Sequence, residues 1–222
     1  MPQAGPHRWA RRALAVLLTT AMIFAVPLAE SASAHGSVVD PASRNYGCWL
    51  RWGNDFQNPA MQQQDPMCWQ AWQDNTNAMW NWNGLYRNGV AGNHEAVIPN
   101  GQLCSAGLTE GGRYRSMDKP GAWTMANITG STFNIRLNDQ ARHGADYIKV
   151  YITRQGYNAL TTPLGWNNLE LVRTTPKYAP GDVYMINSLS KGSRTGRHVI
   201  YTIWQASHMD QSFYFCSDVN FG

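Results

Sequence analysis

Over the last hundred residues, apolar positions recur every second place. Phe133, Ile135 and Leu137 alternate with polar neighbours, and residues 147–153, 199–204 and 213–221 are runs of β-branched and aromatic residues separated by Gly, Pro, Asn and Asp. Several short strands at this spacing predict an all-β chain folded as an antiparallel β-sandwich. The segment before them has a different texture. From Cys48 to about Gly112 the two-residue alternation disappears and Trp, Asn and Gln take over, with Trp49, Trp52, Trp69, Trp72, Trp80 and Trp82 among them. This predicts a large, partly helical loop insertion over about 48–112. Trp69 and Trp72 stand three apart, as on the inner face of one helix. No internal repeat, low-complexity stretch or Pro/Ser linker marks off a second module, so one decorated domain is expected.

The N-terminus changes the arithmetic. Arg8, Arg11 and Arg12 precede an apolar run over residues 13–29, and Ala32-Ser33-Ala34 supplies the small residues of a signal-peptidase site. Thr19, Thr20 and Pro27 interrupt the run, which favours an export signal at 1–34 over a retained membrane span. Arg11-Arg12 leaves a twin-arginine export route open. Cleavage after Ala34 leaves 188 of the 222 residues; the leader takes three of 18 Lys+Arg and one of 14 Asp+Glu, so 15 and 13 remain and the formal charge is +2. Nothing in that remainder forms a Lys/Arg stripe, so neither nucleic acid nor a membrane is expected as partner. A neutral polymer fits better.

All four cysteines, Cys48, Cys68, Cys104 and Cys216, lie in the exported part, which reads as two disulfides in an oxidising compartment. Their gaps are too wide for a structural zinc site. Three pairings are open. Cys48 with Cys68 and Cys104 with Cys216 is favoured, because the first closes a local loop and the second ties the insertion to the last strand.

Common hydrolytic signatures come out empty. Gly192-Ser193-Arg194-Thr195-Gly196 puts the serine one place early for GxSxG, and His94-Glu95 has no second histidine for HExxH. No carboxylate pair is singled out for glycoside hydrolysis, and phosphate loops are absent. What remains is His35. Cleavage after Ala34 would give this residue a free α-amine, so amine and imidazole Nδ1 can chelate one metal ion at neutral pH. One further imidazole completes a planar three-nitrogen set, which suits Cu(II).

His35-Gly36-Ser37-Val38-Val39, followed by Pro41-Ala42-Ser43-Arg44 and Tyr46-Gly47-Cys48, resembles the mature start of the bacterial lytic polysaccharide monooxygenases, auxiliary activity family ten. Ala141-Arg142-His143 resembles the family segment that bears the second copper histidine, and residues 213–221 resemble its closing strand. The likeness spans the mature chain. It implies an immunoglobulin- or fibronectin type III-like sandwich in which His35 gives amine and Nδ1, His143 the third nitrogen, and Phe213 the aromatic group on the axial side. Phe has no hydroxyl, so that axial position is expected to stay open or weakly occupied. Ala141 would place its methyl over the other axial approach. His208 would hang near the copper face without binding, and His198 is a surface or packing residue.

Trp80-Asn81-Trp82-Asn83-Gly84 looks like the family segment presented beside copper on a flat face. On that pattern Trp80, Asn81 and Asn83 would be exposed to a sugar chain and Trp82 buried, with Gln140 a further surface contact and Asn83 also near the metal. The implied activity is oxidative. On that resemblance copper would be reduced by an external electron donor, O2 or H2O2 would be the co-substrate, and C1 or C4 of the linkage would lose hydrogen and gain a hydroxyl, after which the glycosidic bond breaks. A secreted, extracellular monomer acting on crystalline cellulose, and on chitin as a second polymer, is expected. Two rivals belong to other classes. A non-catalytic chitin- or cellulose-binding protein needs no processed histidine, and a secreted copper carrier needs no sugar-stacking face.

Overall fold

Strands β8 (Gly196–Ala206) and β9 (Gln211–Phe221) are buried on both faces, and this sets the architecture. The computed structural model describes residues 1–2 and 35–222; the expected leader at 1–34 lies outside the described residues except for its first two. β8 and β9 pair antiparallel, from Gly196 opposite Phe221 to Gln205 opposite Ser212. β5 (Ala145–Thr153) and β6 (Leu169–Thr174) extend the sheet beyond β8. Short strands β2 (Tyr86–Asn88) and β3 (Ala126–Ile128) lie along the two ends of β9, the first antiparallel and the second parallel. The facing sheet has three strands in the order β1 (Gly36–Asp40), β4 (Thr132–Asp139) and β7 (Val183–Ser190).

Two apolar cores follow from the period of two. One phase of the long strands, with Ile200, Trp204, Phe213, Phe215 and Val219, packs between the sheets against Val38, Ile135, Leu137 and Ile186. The opposite phase, with Val199, Tyr201, Ile203, Tyr214 and Cys216, packs under the insertion against Trp72, Met79, Leu85, Tyr114 and Trp123. A strand buried on both faces carries a near-continuous apolar run, as residues 199–204, broken only by Thr202, and 213–216 do. The immunoglobulin-like sandwich expected from the sequence is the fold found.

The insertion is made of short helices: α1 (Arg44–Trp52), α2 (Met61–Gln64), α3 (Pro66–Asp74), α4 (Asn77–Trp80) and α5 (His94–Val97). Helix α3 starts where its sequence directs, with Asp65 accepting the Cys68 amide and Pro66 in the first turn. Trp72 is buried on its inner face and Trp69 half-buried beside it. Cys48 is bonded to Cys68, joining α1 to α3, and Cys104 to Cys216, joining the insertion to β9. Helical turns run from Arg44 to Asp118, wider than 48–112. The wider start follows from Arg44, which reads as polar in sequence yet is buried by tertiary partners.

Those partners make Arg44 the ionic tie between insertion and sheet. Its Nε donates to Asp218 Oδ2 at 2.7 Å, Nη2 to Asp218 Oδ1 at 3.2 Å and Nη1 to the Met117 carbonyl at 2.6 Å, while the guanidinium lies over Trp123. The Arg44 and Asp218 side chains are 5% and 0% exposed. Removing one member of such a pair strands the other in a low-dielectric interior. Arg44→Leu is therefore expected to lower unfolding free energy by about 3–5 kcal/mol in urea titration. Arg197, at 3.7 Å from Asp218, compensates only in part.

A second tie is neutral. His94 on α5 sits between the Tyr214 hydroxyl of β9 (Nδ1, 3.0 Å) and the Tyr147 hydroxyl of β5 (Nε2, 2.8 Å). Burial, reinforced by Lys149, pulls its pKa down to about 4. The unfolded chain therefore binds more protons than the folded one between pH 6.5 and 4, and stability falls as the pH drops through that window. His94→Gln keeps groups that can bond both hydroxyls but cannot charge. Its stability loss from pH 7 to 4.5 should be smaller than that of the wild type by about 2 kcal/mol in denaturant melts at the two pH values.

Candidate metal centre

The β1 end of the smaller sheet brings residue 35 next to the turn after β4. Gly36 pairs with Asp139, the Gln140 amide donates to the His35 carbonyl at 2.8 Å, and the Gly36 amide donates to the Asn83 carbonyl at 2.9 Å. The Asn83 side-chain amide donates to Gln140 Oε1 at 2.6 Å, closing a link between the insertion and the β4 turn. Gly36 is required by close approach rather than by its dihedral angles. A Cβ there would lie 2.6 Å from the Asn138 carbonyl oxygen and 2.6 Å from the Trp204 ring. The strand thus enters with no lateral slack.

His143 follows in a turn built on one buried carboxylate. Asp139 accepts from His143 Nδ1 at 2.9 Å and the Ala141 amide at 3.1 Å through Oδ1, and from the His143 and Gly144 amides and the Tyr184 hydroxyl (2.7 Å) through Oδ2. Burial alone would raise its pKa; the hydrogen bonds from the His143 ring, the Tyr184 hydroxyl and the Ala141 amide outweigh it and hold the carboxyl below its usual range. An ionised carboxylate on Nδ1 calls for the proton on that nitrogen, so Nε2 is the ring's lone-pair donor.

The remaining predicted residues fall around this point with some differences. His208 is exposed, and its ring centroid is 4.0 Å from that of His143. Phe213 is fully buried and stacked on Trp204 at 4.3 Å; Trp204 in turn lies 6.0 Å from the His143 ring and donates from Nε1 to the Gly144 carbonyl. Phe213 and His143 thus both pack against Trp204. Ala141 and Gln140 are exposed. Trp80 is 44% exposed with edge-to-face contacts to Trp72 and Phe56, and Trp82 is 9% exposed. Asn81 and Asn83 are half-buried rather than exposed, because the Tyr114 hydroxyl donates to the Asn81 carbonyl, the Asn81 side chain turns back to Asn77, and Asn83 is engaged by Gln140. His198 is buried, with Nδ1 against Thr153 and its ring beside Phe221. Asp139, Tyr184 and Trp204 were not expected from the sequence.

The donor chemistry fits a copper ion. Among the described residues no cluster of three His, Cys, Asp or Glu side chains is placed to hold a metal, so a site here needs a main-chain donor beside the imidazoles of His35 and His143. In the 222-residue chain Ala34 precedes His35 and that nitrogen is an amide; removal of 1–34 would make it an amine. Two imidazoles and an amine form the nitrogen-rich set that Cu(II) prefers.

Residues 35–219 match the protein family described as lytic polysaccharide mono-oxygenase, cellulose-degrading. A solved lytic polysaccharide monooxygenase from Kitasatospora papulosa is 63% identical, with a TM-score of 0.83 over 85% of this chain and 98% of that one. Chitin-binding protein CbpD of Pseudomonas aeruginosa is 35% identical over 213 residues, 94% of this chain and 52% of CbpD. A lytic cellulose monooxygenase of Streptomyces ambofaciens is 31% identical over 202 residues, 86% of this chain and 54% of that protein. The chain spans about half the length of these two curated relatives.

Proposed function

This chain belongs to the lytic polysaccharide monooxygenases, auxiliary activity family ten, and from that premise we propose a secreted enzyme that cleaves crystalline cellulose oxidatively. Removal of residues 1–34 leaves 35–222 as one extracellular catalytic domain, active as a monomer, with attack at C1 and also at C4 and with chitin as a second substrate. None of the described helices is long and apolar enough to cross a membrane. The observation that carries the reading is the His143 imidazole, whose Nδ1 is engaged by the Asp139 carboxylate, which makes Nε2 the lone-pair nitrogen, in the turn beside residue 35.

His35 would hold the metal by amine and Nδ1, and His143 by Nε2. Bound copper would supply one-electron redox chemistry and the activation of O2 or H2O2, with electrons from an external donor. The protein's own part is to hold these donors rigid and to lay the polymer beside them. His143 is oriented through Asp139, Phe213 and Trp204 pack behind the turn, and Ala141 keeps a small side chain at the exposed approach. Trp80 offers part of its ring to the apolar face of a sugar, with Asn81, Asn83 and Gln140 as amide partners for hydroxyls.

Cellulose is placed first because the matching family is described as cellulose-degrading and a relative is named a lytic cellulose monooxygenase; the name of CbpD keeps chitin in view. Mass spectrometry of products from cellulose and chitin, with copper and a reductant, tests the proposal. Oxidised oligosaccharides that need the reductant are expected, and native ends alone would contradict it. Binding without any product would favour a non-catalytic binding protein instead. Trp80→Ala should weaken cellulose adsorption about threefold to tenfold, since stacking contributes about 0.5–1.5 kcal/mol beyond area burial. Depletion isotherms with copper affinity measured alongside check this: copper affinity should not change.

A further inference from the structure

We infer that Asp139 is the positioning residue of the metal-binding imidazole, fixing His143 in the Nδ1–H form and holding the turn that carries it. The inference rests on the proposed reading of His143 as a ligand. Five donors converge on this one carboxylate, which is itself fully buried: the His143 ring, the Ala141, His143 and Gly144 amides, and the Tyr184 hydroxyl. Among the described residues the partner of Nδ1 is this carboxylate, at 2.9 Å, and a carboxylate already receiving four other donors calls for the ring proton on that nitrogen.

The same bonds shape the loop. Arg142 has φ 54° and Gly144 φ 76°, left-handed values that cost a non-glycine residue about 1–2 kcal/mol. Three amides of the loop, those of Ala141, His143 and Gly144, point at Asp139, which offsets that cost and determines where the His143 backbone sits. The carboxylate is anchored from the neighbouring strand. Tyr184 on β7 donates to it and accepts from the Gly144 and Gly181 amides at 3.0 and 3.3 Å, so β4, β7 and the turn lock together. Asp139 therefore acts on the metal through His143 without touching it, and an anionic partner on Nδ1 makes Nε2 a stronger donor.

The first test uses the wild-type protein processed to start at His35, free of metal. Long-range 15N NMR of the histidine rings should find His143 protonated at Nδ1, with a slowly exchanging proton; an Nε2–H ring overturns the inference. The second is Asp139→Asn, in which one acceptor oxygen becomes a donor facing amides. Its affinity for Cu(II) and for Zn(II), by calorimetry, should fall about 10- to 100-fold, with an altered copper EPR spectrum. Tyr184→Phe keeps the carboxylate and should lose less. Affinity unchanged in folded Asp139→Asn overturns the inference; should that variant fail to fold, the wild-type NMR result decides alone. Wild-type protein that binds neither metal would sink the functional reading, whereas wild-type binding unaffected by Asp139→Asn would sink only the role given to Asp139.

Discussion

Replacing His143 by alanine is expected to weaken Cu(II) binding about 100- to 1,000-fold and to abolish oxidative cleavage. The magnitude follows from four-ligand zinc sites, where a total of about 10–16 kcal/mol corresponds to about 2.5–4 kcal/mol per ligand. His198→Gln is the control. It lies on the far part of β8, opposite Val219, whereas the His143 turn leads into Ala145 opposite Ala206 at the other end. Its ring is occupied by Thr153 and Gln155. Calorimetric titration of both variants separates the two histidines. Loss of affinity on changing His198 but not His143 would reverse the assignment.

Retention of a single residue before His35 should be as damaging. A peptide nitrogen has its lone pair delocalised into the carbonyl and binds a metal only by losing its N–H proton, whereas an α-amine with a reference pKa of about 8 gives up its proton to a metal readily. Copper affinity of a chain starting at Ala34 should therefore fall by at least about 100-fold, the loss of one ligand of a chelate. The fold leaves no way to compensate by sliding. A one-residue slip of β1 would exchange its two faces and put a side chain in place of Gly36, where a Cβ meets Asn138 and Trp204 at 2.6 Å. Isothermal titration of the two chains, prepared side by side, measures the difference.

The strands legible in the sequence were those with strong patterns. β4 alternates cleanly, and β5, β8 and β9 carry dense β-branched and aromatic runs. The others had weaker signals. β2 and β3 are three residues each, most positions of β6 are exposed, and Ser188 breaks β7 with φ 56°. β1 stands out in sequence as a motif rather than as a strand, being only five residues long. The insertion was recognised by its loss of alternation, but its edges depend on tertiary partners such as Arg44 with Asp218, which no local pattern reveals.

At the site, the leader boundary and the family resemblance point to His35 and His143 but not to the groups that support them. Asp139 could have been found. It continues the buried phase of Phe133, Ile135 and Leu137 by one more step, and a carboxylate at an in-phase core position, four residues before a histidine, needs a partner. Tyr184 and Trp204 read as ordinary strand residues, since only the juxtaposition of β7, β8 and the turn gives them their roles. The exposure expected of Asn81 and Asn83 was too high because their backbone and side-chain bonds run between segments far apart in sequence.

The central claim is that the metal grip is created by processing. It is tested most directly by sequencing the N-terminus of the protein recovered from the medium of its host and recording the copper EPR spectrum of that same sample. The account predicts a chain that begins at His35 and binds one Cu(II) with nitrogen hyperfine structure from amine and imidazole. A secreted chain that begins at any other residue and still cleaves cellulose oxidatively would contradict it.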